Sequence, residues 1–251
     1  MNEKNVYNAI ADVYERFSDS APQIEVEIRT VFELAGEIQG KSVLDLACGY
    51  GLFSRLYKSR GASKVVGADI STNMIEIARN KSRQYGDGIE FHVRDVCNME
   101  SLGKFDIINA SWLFCNAISL EELEMMFRTV ANNLAPSGKL IAYTIEPDYR
   151  LTKGNCSNYL CDILSEEHCR GGLLFKAEFT FPSRNPPLPP APFTMYSWSR
   201  EQHAEASHKA GLQIEWHKPM LSQSDIDNQP AGFWDTYQNN CHEAAFVCKF
   251  L

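Results

Sequence analysis

Several things that would settle the class of this 251-residue chain at once are missing from it. No apolar run approaches the roughly 20 residues that cross a bilayer. The first stretch, MNEKNVYNAIADVYERF, has no apolar core followed by a small-residue cleavage site. A cytoplasmic protein is therefore expected, with no membrane partner. Positive charge is scarce: 24 Lys and Arg stand against 32 Asp and Glu, a formal net charge of −8, and basic residues occur only as scattered pairs. Counterion release, which drives nucleic-acid binding, has no surface to act on, so neither DNA nor RNA is an expected partner. The eight cysteines, Cys48, Cys97, Cys115, Cys156, Cys161, Cys169, Cys241 and Cys248, include no C-x-x-C pair. Reduced thiols are expected, with neither a disulfide framework nor a metal site.

What remains is ordinary globular material, 44% apolar and 22% charged, enough for one large domain with an insertion. Short apolar, β-branched segments recur at Lys41 to Ala47, Ser63 to Asp69, Gly88 to Asp95, Phe105 to Ser111 and Gly138 to Ile145. Helical stretches lie between them at Gly51 to Arg60, at Thr72 to Tyr85 behind a capping Ser71, and at Leu120 to Leu134. Strand and helix in repeated alternation predict a parallel sheet with helices on both faces. Two amphipathic helices, Val6 to Phe17 and Gln23 to Ile38, precede it. After Ile145 the pattern changes, and residues 147–198 read as an insertion on top of the sheet. It carries a helix over Tyr159 to Glu167, an aromatic strand LLFKAEFTF, a proline-rich run and a second aromatic strand FTMYSW. A helix from Arg200 to Ala210, a strand LQIEWHK and a last strand near Ala245 to Phe250 complete the sheet. We expect one domain over residues 1–251, with residues 1–40 as an N-terminal helical lid.

The segment VLDLACGYG, Val43 to Gly51, carries the functional signal. In an open parallel sheet the first strand-to-helix turn is the usual ligand contact, and glycines at 49 and 51 let a ligand meet backbone without a Cβ. A dinucleotide-binding turn would need a third glycine where Ser54 stands, and a P-loop would need Gly-Lys-Ser/Thr. Both are absent. Asp45 inside the strand would repel pyrophosphate but could receive an ammonium, directly or through water. Asp69 closes the second strand, where an acid can bind both hydroxyls of a ribose. Asp95 closes the third, where an acid can accept from adenine's amine. Adenine, ribose and a zwitterionic tail without phosphate describe S-adenosyl-L-methionine.

In order and spacing, VLDLACGYG, VVGADIS, IEFHVRDV and FDIINASWLF resemble the four cofactor-binding motifs of the class I S-adenosylmethionine-dependent methyltransferases. The resemblance implies a Rossmann-like α/β fold, a seven-stranded, mostly parallel sheet with the insertion after its fifth strand. It places Gly49 and Gly51 along the methionine part, with Ala47 and Ser111 beside the cofactor. Asp69 would hold the ribose, Ile70 and Met74 the adenine faces, and Asp95 with the Val96 amide the adenine edge. Tyr7 and Tyr14 match an N-terminal pattern that folds over the methionine end. The stretches YSWSREQHAEASHKAGLQIEWHKP and GFWDTY resemble the C-terminal half of toxoflavin-synthase-like small-molecule methyltransferases.

Methyl transfer from a sulfonium mainly asks the protein to position a nucleophile and exclude water. Residues after the fourth strand, Ser111, Trp112 and Asn116, are the ones expected to face the methyl group, with Tyr14 from the lid. Trp112, Phe175, Phe179, Tyr196 and Trp198 are candidates for a flat aromatic substrate pocket, against the plainer reading of a sheet packed on a core. Met74 could equally be core, and the tyrosines could be packing residues. The expected function is methylation of a nitrogen or oxygen of a small aromatic or heteroaromatic molecule by a monomer or homodimer. A carbon methyltransferase, an unusual S-adenosylmethionine enzyme and a non-catalytic cofactor-binding subunit are the alternatives.

Overall fold

The computed structural model describes residues 17–18, 20–180 and 191–251. Its ten strands are β1 (Ser42–Leu46), β2 (Lys64–Asp69), β3 (Glu90–Val93), β4 (Phe105–Ser111), β5 (Leu134–Ile145), β6 (Cys161–Cys169), β7 (Gly172–Phe179), β8 (Ala191–Ser197), β9 (Leu212–His217) and β10 (Glu243–Phe250). The helices are α1 (Ile24–Ala35), α2 (Leu52–Ser59), α3 (Thr72–Tyr85), α4 (Leu120–Asn133), α5 (Arg200–Lys209), and the short α6 (Gln223–Asp227) and α7 (Asp235–Asn239). Seven strands form one sheet in the order β3-β2-β1-β4-β5-β10-β9, parallel except for antiparallel β10. The Rossmann-like α/β architecture expected from the alternating pattern is what is found.

Both sheet faces are covered because every central strand alternates two apolar sets. Leu44, Leu46, Val66, Ala68, Ile108, Ala110, Leu140 and Ala142 pack with Leu123, Phe127 and Val130 of α4 and Ala206 of α5. Their neighbours Val43, Val65, Ile107 and Ile141 face the other way, onto Val31 and Ala35 of α1, Phe53 and Tyr57 of α2, and Ile75 and Ala78 of α3. Helix starts follow the capping rule: Ser71 and Ser119 accept from the backbone of Met74 and Glu122, and Ser199 forms a full capping box with Gln202.

The insertion corrects one expectation. Instead of a helix over Tyr159 to Glu167 there is a single 3-10 turn, Ser157–Tyr159, followed by β6. Strand β6 pairs antiparallel with β7 from Cys161 opposite Phe179 to Cys169 opposite Gly172, and β8 completes a three-stranded sheet. A register shift between Ile163 and Ser165 breaks the period-2 alternation, so the strand does not read as one in sequence. This small sheet shares an aromatic core with α1 and with the segment around α7. Tyr159 stacks on Trp234 at 5.4 Å and donates its hydroxyl to the Phe233 carbonyl, while Gln23 donates to the Tyr159 carbonyl at 3.0 Å. The insertion is thus locked over the carboxyl ends of the parallel strands, where the strand order reverses between β1 and β4.

Candidate active site

The turn after β1 is built for left-handed backbone: φ is 56° at Ala47, 53° at Gly49 and 86° at Gly51. At Ala47 this costs of order 1–3 kcal/mol, a strain that the surrounding sheet must hold in place. Asp69 organises the same turn, one carboxylate oxygen accepting from the Gly49 amide and the other from the Ser71 amide, both at 2.8 Å. Burial pushes the Asp69 carboxyl above its ordinary value, and the amides of Ser71, Gly49 and Ile70 pull it back. Each oxygen keeps capacity for a further donor from the cleft it borders.

That cleft opens beyond the strand ends and encloses about 1050 Å³ of atom-free space, mouth included. Of the residues nominated from sequence, Ala47, Gly49, Asp69, Ile70, Met74, Asp95, Val96, Ser111, Trp112, Asn116 and Tyr196 line it together. Arg94, Glu122, Met126, Phe193 and Thr194 join them without having been foreseen. Tyr7 and Tyr14 lie outside the described residues, as does the helix expected over Val6 to Phe17 except for its last residue.

Other nominations take different places. Asp45 is buried, its oxygens accepting from Ser54 at 2.6 Å and Asn109 at 2.7 Å, so it ties α2 and β4 to β1 and borders only a smaller side cavity. Burial raises its carboxyl to about 6 against the two hydrogen bonds. Gly51 does not face the cleft: a Cβ there would lie 2.8 Å from the Phe91 ring and 2.9 Å from Arg55, so the glycine serves close packing. Phe175 and Trp198 are 0% and 1% exposed and belong to the core, the Trp198 indole donating to the Ala117 carbonyl at 3.0 Å. For these two the plainer core reading holds, because each points between layers and away from any cavity. Phe179 lines a second cavity with Trp112.

Trp112 is where three cavities meet, since it lines the cleft and both smaller spaces. Its backbone is left-handed, φ 61°, and is held by its amide donating to the Tyr143 carbonyl at 2.7 Å and by Asn116 donating to its own carbonyl at 2.6 Å. Asn116 therefore positions Trp112 with its amide nitrogen. The Trp112 indole donates at 3.1 Å to Glu27, a residue the sequence reading passed over. Glu27 is 2% exposed, and its other oxygen has no hydrogen-bond partner, nor does the carbonyl oxygen of buried Gln23 one turn earlier. Burial first, then the charge of Glu243, raises the Glu27 carboxyl to about 8 despite the indole and the nearby Ser111 hydroxyl. The overlooked signal is positional: Glu27 stands four residues before Val31 and eight before Ala35, in the buried stripe of α1.

This geometry can be set beside known proteins. Residues 43–138 match a family described as "Methyltransferase domain". The match takes in 96 of the 251 residues, from β1 to the middle of β5. Over 114 residues it is 31% identical to a ubiquinone biosynthesis O-methyltransferase from Coxiella burnetii, covering 45% of this chain and 47% of that one. Over 101 residues it is 34% identical to a ribosomal protein L11 methyltransferase from Burkholderia multivorans, covering 40% and 31%. The matched stretch thus spans less than half of either relative. The CcbJ methyltransferase from Streptomyces caelestis superposes over 100% of this chain and 99% of its own with a TM-score of 0.69 at 18% identity, a likeness of fold. The shared fold comprises the sheet and the helices on its two faces. Among the described residues no helix is long and apolar enough to cross a membrane.

Proposed function

We propose that this chain uses S-adenosyl-L-methionine to methylate a nitrogen or oxygen of a small aromatic or heteroaromatic molecule. The observation that carries the reading is the convergence of Asp69, Asp95 and the left-handed turn at Ala47 and Gly49 on one cleft at the strand-order reversal. The residues present fit that cofactor. Asp69 is fixed by two amides and can accept two ribose hydroxyls; Ile70 and Met74 supply apolar wall, Met74 being 1% exposed. Asp95 accepts from the Cys97 amide on one oxygen at 3.0 Å and borders the cleft as a further acceptor for an amine. When bound, the cofactor supplies an electrophilic methyl group on a sulfonium.

The chain's own part is to orient and to keep water out. Trp112, held at both ends of its peptide, borders both the cleft and the space under the insertion. Phe193 and Tyr196 of β8 close the insertion side, so residues 147–198 contribute to the acceptor site in this reading. The resemblance of Tyr196 to Pro219 and of Gly232 to Tyr237 to toxoflavin-synthase-like enzymes supports a heteroaromatic acceptor. Calorimetry with S-adenosylhomocysteine, then incubation with S-adenosylmethionine and a panel of aromatic amines, heterocycles and phenols, tests it. Micromolar cofactor binding with methylated product is the expected result, and no binding would overturn the reading.

A further inference from the structure

Behind Trp112 lies a second cavity of about 480 Å³ of atom-free space, walled by Phe17, Phe179, Phe193 and Met195 and reached by Gln23 and Glu27 of the α1 region. Phe179 packs against both Phe17 at 4.3 Å and Phe193 at 4.2 Å, so three aromatic rings border the cavity together. Trp112 and Phe193 line both this cavity and the cleft, so the two spaces adjoin across them.

The polar atoms of this cavity are unevenly matched. The Trp112 indole donates to Glu27, the Gln23 amide nitrogen donates to the Tyr159 carbonyl, and His242 Nε2 lies 3.1 Å from one oxygen of Glu243, whose other oxygen accepts from Tyr143 and Tyr237 behind the cavity wall at 2.7 and 2.6 Å. Two acceptors are not engaged. Glu27 Oε1 and Gln23 Oε1, on residues 2% and 1% exposed, have no hydrogen-bond partner. A buried acceptor without a donor is costly, and a carboxylate more so than an amide, which makes such a pair on successive helical turns a receptor for N–H groups.

We propose that this cavity binds a flat aromatic amine, with Glu27 Oε1 and Gln23 Oε1 accepting the hydrogens of its ring-bound nitrogen. The proposal rests on the methyl-transfer reading of the cleft and names its acceptor class. A primary amine offers two hydrogens to the two acceptors, while its ring lies among Phe17, Phe179 and Phe193; a phenol offers only one. In the transfer an N–C bond would form as the S–C bond of the sulfonium breaks, its electron pair going to sulfur to leave a thioether; the N–H bond breaks, its pair stays on nitrogen, and the proton forms an O–H bond on Glu27 Oε1 in its ionised form. The charged and titratable groups near Glu27 are Glu243, His242, Tyr143 and Cys115. Burial disfavours a charged His242, but Cys156 and Glu243 outweigh it and raise the imidazole to about 10, while Glu27 is raised to about 8 and accepts a proton from its ionised form.

The Trp112 indole proton reports on Glu27 because it is donated to Glu27 Oε2, so its nitrogen-correlated resonance is the readout, with aniline as probe and toluene as the shape control. We expect that resonance to titrate near pH 8, to shift with aniline more than with toluene, and to titrate at lower pH with aniline bound. Glu27→Gln should abolish the titration and weaken aniline at least fivefold while leaving S-adenosylhomocysteine affinity within twofold. Gln23→Met, which keeps length and removes the acceptor, should weaken aniline as well and serves if Glu27→Gln does not fold. Equal affinity for aniline and toluene overturns the proposal. So does a Glu27→Gln chain that loses S-adenosylhomocysteine but keeps aniline, since Glu27 would then face the cofactor's ammonium. Wild-type protein that binds aniline through Glu27 but no S-adenosylhomocysteine supports the amine pocket and overturns the methyl-transfer reading alone.

Discussion

On the cleft side of Trp112 the buried carboxylates are paired; on the far side Glu243 is paired and Glu27 only half so. Asp45 and Asp69 have each oxygen bound by a named donor, and those donors come from the turn, helix and strand that the two acids hold together. Glu27 has one oxygen bound by an indole, while the other has no partner in hydrogen-bond geometry and only the unpaired Ser111 hydroxyl nearby. A paired buried acid is part of the scaffold even where it also meets a ligand, whereas a half-paired one carries an energetic cost that a ligand can relieve. The difference separates a side whose carboxylates are satisfied by the fold itself from one that leaves a carboxylate oxygen open.

The largest expected effect tests the first half of that comparison. In the proposed reading Asp69→Ala removes two charged hydrogen bonds to a ribose, each worth roughly 1.5–3 kcal/mol, so S-adenosylhomocysteine affinity should fall by at least about a hundredfold in calorimetry. Unchanged affinity in a folded variant would remove Asp69 from the cofactor site.

The next effect sharpens the second half. Folding raises the Glu27 carboxyl from 4.5 to about 8, so between those values the folded chain holds more protons than the unfolded chain. The stabilising contribution is full below pH 4.5 and is lost as pH climbs through about 8. Glu27→Gln keeps the shape and deletes the ionisation. Urea unfolding at pH 5 and pH 9 should therefore show a smaller loss of stability in the variant, by on the order of 2–3 kcal/mol. An identical pH dependence in both chains would mean that Glu27 ionises freely when folded.

Two smaller effects check residues that the comparison assigns to packing. Trp198→Phe leaves the Ala117 carbonyl without its buried donor and should lower stability by about 1–3 kcal/mol with cofactor affinity unchanged. Gly51→Ala puts a Cβ against Phe91 at a left-handed φ and should cost roughly 1–2 kcal/mol in thermal unfolding. A fall in S-adenosylhomocysteine affinity larger than the fall in stability, in either variant, would return that residue to the site.

The parallel strands, α3 with its Ser71 cap and the gathering of Asp69, Asp95, Val96 and Ser111 were legible because each depends on local periodicity or on position at a strand end. The strand β6 was not, because a bulge between Ile163 and Ser165 erases its alternation and leaves a stretch that reads as a helix. Phe175 and Phe179 alternate on one strand face and look alike in sequence, yet one is sealed in the core and the other borders a cavity. Glu27 could have been singled out as a carboxylate inside an apolar helical stripe, but that pattern alone does not say whether the acid meets a cation, a hydroxyl or nothing.

By itself, then, the sequence determined the alternating α/β architecture and the acids at its strand ends, since strand periodicity, caps and glycine turns are short-range physics. Only the tertiary structure decided what those acids touch. Asp45 is closed off by a serine nine residues away and an asparagine 64 residues away. Glu27 and Trp112, 85 residues apart, form a half-satisfied pair that exists only because α1 and the end of β4 are packed under the insertion. Burial and hydrogen-bond satisfaction are properties of neighbours in space, and neighbours in space are set by the whole fold.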